Sequence, residues 1–133
     1  MNNYITPSKE LFDEAKQIQS YTEITPSDNP NEIMERITDC GVFLARTSKM
    51  LADAKYHLTQ KKKDETIAVI KIISKDKLSA KVQNSLIESI CRDEQYLVDW
   101  IEQINKTLKY QIEAARSLLS YEKENMRIAK SGY

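Results

Sequence analysis

Glu10-x-x-Asp13 and Glu32-x-x-Glu35 each set two carboxylates on one face of a helix, a spacing that can hold Mg²⁺ in all-helical nucleotide hydrolases. Such a centre needs a second acidic pair on a facing helix, and only Asp93 with its neighbour Glu94 offers one. Both first pairs also stand near expected helix starts, where acids complement the helix dipole, and capping is the preferred reading. The single histidine, His57, follows Ala54 at three residues rather than a glutamate, so the Glu-x-x-His pattern of di-iron bundles is missing. Cys40 and Cys91 have no CxxC spacing and no histidine partner, which leaves neither a zinc pattern nor an activated nucleophile. No glycine-rich phosphate loop occurs. These residues predict no cofactor, no metal and no enzyme.

Charge is the remaining chemistry. The chain has 20 basic and 20 acidic residues, but they are unevenly placed. Residues 1–45 hold three basic and eight acidic groups, residues 46–81 hold ten and four, and residues 82–133 hold seven and eight. Seven lysines fall within residues 61–81. Lys61, Lys62, Lys63, Lys75, Lys77 and Lys81 are therefore the candidate contacts for a nucleic-acid phosphate backbone, with Arg46, Lys49 and Lys55 trailing behind them. A merely solvated lysine-rich tip is the competing reading.

The elements that would position these groups are helices. Of the 133 residues only two are glycine, and the three prolines all precede residue 31. Sheets with frequent tight turns cannot be built from that supply. A short first helix should start at Thr6-Pro7 with a Leu11, Ala15, Ile18 stripe, followed by the linker "TEITPSDNP". Residues 1–28 make up this N-terminal segment, and residues 29–133 a helical hairpin with its tip at about 63–80.

Asn29 and Pro30 then announce a long helix, with Glu32 placed as in a capping box. Ile33, Ile37, Cys40, Leu44, Thr47, Leu51, Ala54 and Leu58 alternate spacings of four and three, which is a heptad seam. A second seam reads Leu86, Ile90, Asp93, Leu97, Ile101, Ile104, Leu108, Gln111, Ala115 and Leu118, with one doubled four after Asp93 and Ser79 as cap. Polar Asp93 and Gln111 on that seam would fix register. Between the seams, "TIAVIKII" is rich in β-branched residues but has no second strand to pair with, so it reads as a short separate helix at the tip. The fold class is all-α: a long antiparallel, coiled-coil-like hairpin with short additional helices. Trp100 and the tyrosines beside the seam should pack against the first helix, although stacking on unpaired bases is open to them. The width of the stripes, with Ile67, Val69, Ile70, Ile72 and Ile73 at the tip, points to a homo-oligomer.

The segments "LADAKYHL" (51–58) and "CRDEQYLVDWIEQINKTLKYQIEAARSLLSYEKENM" (91–126) resemble small helical proteins of bacteriophages and prophages, encoded near single-strand-binding and recombination functions. That resemblance implies a phage or bacterial cytoplasmic protein and an accessory role in DNA metabolism, through single-stranded nucleic acid or a protein that binds it. It brings no functional residues with it. A pure protein–protein adaptor or oligomeric scaffold is the alternative, and an Mg²⁺-dependent nucleotide hydrolase a distant one. The absence of an apolar leader or of a run long enough for a membrane span fits a cytoplasmic protein without membrane contact.

Overall fold

The computed structural model describes residues 4–76 and 79–131, all of them helix or short connections and none of them strand. α1 spans Ser8–Thr22, α2 Pro30–Asp76, α3 Ala80–Ile90 and α4 Arg92–Ser131. The two long helices, α2 and α4, pack against each other as a hairpin, and α1 lies against both. With 47 and 40 residues they run about 70 Å and about 60 Å.

The start signals act as expected. The Asn29 side chain accepts from the backbone N–H of Asn31 at 2.9 Å and of Glu32 at 3.4 Å. Ser79 caps α3 by accepting from Val82 N–H at 3.3 Å. Along α2 the heptad seam faces inward, with Ile33, Cys40, Thr47, Ala54 and Leu58 buried and Ile37, Leu44 and Leu51 half-buried. Opposite lie Leu97, Ile101, Ile104, Leu108 and Ala115 of α4, all buried.

Two elements differ from expectation. Residues 66–73 do not form a separate short helix; they continue α2 to Asp76. Lys61 to Thr66 contains no glycine or proline, so nothing ends the helix there. From Leu58 the rhythm runs on through 61 and 65 and then slips by one residue, so that Val69 rather than Ala68 is buried and Ile67, Ile70 and Ile72 are exposed. The second long helix is interrupted at Cys91, which closes α3 and opens α4. This one-residue break shifts the phase: Cys91 is buried, while Leu86, Ile90 and Asp93 leave the seam for solvent. Asp93 therefore has no register role.

Gln111 does have one. Its amide donates to Thr22 O at 2.8 Å and accepts from Arg36 at 3.0 Å, while Arg36 also reaches Tyr21 O at 3.3 Å. One seam glutamine thereby ties the end of α1 to both long helices. Asn105, buried mid-seam, donates to Thr47 Oγ1 at 3.0 Å and Ser48 Oγ at 3.1 Å. α1 docks through Leu11, Ala15 and Ile18, and Trp100 meets it as expected, edge-on to Phe12 at 5.5 Å and donating to Gln19 Oε1 at 3.1 Å, whereas Tyr96, Tyr110 and Tyr121 are exposed.

Candidate contact surface at the distal end

Beyond Leu58 the inward face of α2 turns polar, with Lys61 and Glu65 where leucines would otherwise sit. Lys61 answers this by bonding across the hairpin to Glu94 Oε1 at 2.8 Å. Burial would raise the Glu94 carboxyl, but the Lys61 hydrogen bond and charge outweigh it and hold it below its ordinary range. Glu94 keeps its second oxygen, Oε2, buried without a hydrogen-bond partner.

The lysine cluster is thus divided. Lys61 is committed to Glu94, whereas Lys62, Lys63 and Lys81 are exposed and make no ion pair among the described residues. The Lys75 side chain and all of Lys77 lie outside the described residues. The expected basic trail is also partly neutralised. Arg46 binds Glu14 through two hydrogen bonds of 2.7 and 2.6 Å, and Lys49 grips Asp53. Only Lys55 on that trail stays exposed and unpaired among the described residues.

Lys49–Asp53 is an i,i+4 pair open to sequence reading, but Arg46–Glu14 and Lys61–Glu94 join different helices and were not visible in the linear order. The acidic pairs do not converge either: among the described residues no three His, Cys, Asp or Glu side chains are placed to hold a metal ion. Cys40 and Cys91 are both buried as free thiols.

Three buried or half-buried carboxylates carry an acid dependence. The Arg46 hydrogen bond lowers Glu14; for Asp53, burial pulls upward, but Lys49 and the Thr6 N–H bring it below the usual value. With Glu94, all three have folded-state pKa values below the ordinary 3.8 to 4.5. Their stabilisation is complete above that range and is lost as pH falls through it and below. Melting temperature scanned from about pH 7 to about pH 3 should hold level to about pH 5 and then fall. A melting temperature that rises on acidification would contradict these pairings.

Apolar surface dominates what remains. Ile67, Ile70 and Ile72 of α2 and Val82, Leu86 and Ile90 of α3 are exposed by 36% (Ile90) to 58% (Ile70), six large aliphatics within one end of the rod. α3 buries none of its 11 residues, although Ile87 packs partly against the core. Sequence reasoning named the isoleucines but took Leu86 and Ile90 for seam residues, since the break at Cys91 has no glycine or proline to mark it.

Near this end, α1, α2 and α4 enclose a cavity of about 410 Å³ lined by Phe12, Tyr96, Leu97, Ala54, His57, Asp93, Glu94, Ser8 and Lys9. His57 Nε2 lies 2.7 Å from Thr6 O; a carbonyl can only accept, so Nε2 carries the hydrogen. Compared with known proteins, the chain matches no family model, no curated protein and no solved structure. No helix among the described residues is long and apolar enough to cross a membrane.

Proposed function

We propose that this chain is a non-enzymatic contact protein, a helical-hairpin adaptor or scaffold that works through its distal end and first of all by pairing with a second copy. The observation that carries this reading is the set of six exposed aliphatics on the last third of α2 and on α3. An 11-residue helix is too short to be stable alone in water, and α3 buries no residue of its own to compensate. A partner laid on Val82, Leu86 and Ile90, which repeat at four residues on one face, supplies the missing burial. A closed two-fold pairing of two such ends does so without leaving an open surface.

Sedimentation at micromolar concentration should give a mass above that of one chain. Leu86→Glu and Ile67→Glu, both at exposed positions, should return it to the single-chain mass with unchanged helical circular dichroism. A wild type that sediments as one chain overturns self-pairing.

The accessory role in phage-type DNA metabolism is a second reading, supported by Lys62, Lys63 and Lys81, which are exposed and unpaired among the described residues. Under it, labelled single-stranded DNA binds at low salt and each neutralised phosphate adds about 0.7 to the salt slope. Lys62→Gln, Lys63→Gln and Lys81→Gln together should then flatten that slope by about two units. Without binding at low salt, protein contact alone is left.

A further inference from the structure

We propose that the cavity between α1, α2 and α4 is a binding site for an organic cation, an ammonium or guanidinium group carried on an apolar stem. Its volume of about 410 Å³ lies within the range of small-ligand pockets. One wall is aromatic. Phe12 and Tyr96 line it, and both rings are braced from outside by Trp100, at centroid separations of 5.5 and 6.1 Å. Such ring faces attract cations, and Lys16 already sits 4.8 Å above the Phe12 centroid. Leu97 extends the wall as aliphatic surface for a stem.

The other wall offers acceptors. Glu94 lines the cavity with a carboxylate whose Oε1 is bonded to Lys61. His57 lines the cavity and gives its Nε2 hydrogen to Thr6 O. Asp93 adds a second carboxylate. The cavity's own cation, Lys9, is on an exposed rim position. Acceptors facing an aromatic wall select a donor-rich positive head rather than a phosphate or a neutral hydrocarbon.

The head can come from a free organic amine or from a lysine or arginine side chain of another polypeptide. The test titrates the full chain with 2-phenylethylamine, with its neutral isostere 2-phenylethanol, and with a blocked Phe-Lys dipeptide. The chain's single tryptophan, Trp100, reports binding by fluorescence. Saturable binding of the amine roughly tenfold or more tighter than the alcohol is expected, since a hydrogen bond to a charged group is the stronger kind. Glu94→Gln should erase that preference. Tyr96→Ala, at an exposed position, should weaken both ligands and the amine more than the alcohol. A dipeptide that binds more tightly than the amine assigns the head to a polypeptide, and the reverse order assigns it to a free amine. No saturable change, equal binding of amine and alcohol, or a preference that survives Glu94→Gln overturns the proposal.

Discussion

Ile104→Asp should lower the unfolding free energy by roughly 3–5 kcal/mol, read as a shift of the urea midpoint followed by circular dichroism. Ile104 is 2% exposed and belongs to the central cluster with Met50, Ala54, Ile101 and Leu108. An aspartate there has no basic partner within the seam, so its charge is either buried unpaired or neutralised by a raised pKa, and both are costly. A domain of this size typically holds about 5–15 kcal/mol in all, so the variant stands at the edge of folding. Tyr110→Asp on the exposed face of the same helix is the control, and its midpoint should barely move. Equal midpoints for the two variants would mean that the seam is not a dry interface.

Leu11→Ala comes next, at about 2–5 kcal/mol for a fully enclosed leucine. Leu11 is 0% exposed and shares one cluster with α2 and α4 residues, so truncating it opens a void beneath α1 rather than at a surface. Because α1 is also held by Arg46–Glu14, Trp100–Gln19 and Gln111–Thr22, its loosening should not be independent of the hairpin. The Trp100 emission and the helical signal should therefore move together, in one transition shifted to lower denaturant. A wild-type midpoint would show that α1 is not docked as described.

How far the sequence reading carried depended on whether a signal was local. The Asn29 and Ser79 caps and the Ile33–Leu58 seam are set by residues within two turns of each other, and all were legible. Gln111 was recognisable as a polar residue on an apolar stripe, although its partners Thr22 and Arg36 were not. Val69 was misplaced because seven apolar or β-branched residues among the eight of 66–73 satisfy several helical faces at once. The phase inherited from Leu58 points to Ala68 and Ile72, and a one-residue slip after Glu65 buries Val69 instead. The break at Cys91 left a faint trace, the doubled spacing after Asp93, where the second seam changes phase. Glu94 was noted as a possible metal ligand, yet it is the partner of Lys61; that pairing requires knowing that the chain folds back between α2 and α4. The cavity, assembled from three helices, has no linear signature at all.

The place of that reversal also bears on how quickly and from where the hairpin closes. Cross-hairpin partners grow steadily further apart along the chain: 33 residues for Lys61 and Glu94, 58 for Thr47 and Asn105, 75 for Arg36 and Gln111. Loop-closure entropy rises only with the logarithm of that separation, so the most distant pair costs about 0.7 kcal/mol more than the nearest. Burying a single leucine or methionine yields about 1.5–3 kcal/mol, several times that difference. The end nearest the turn, cheapest to bring together, buries little beyond Val69 and Cys91, while Met50, Ile101, Ile104 and Leu108 lie midway. The balance of these terms favours a nucleus in the middle of the rod, with the turn-proximal end zipping afterwards and remaining the first part to open.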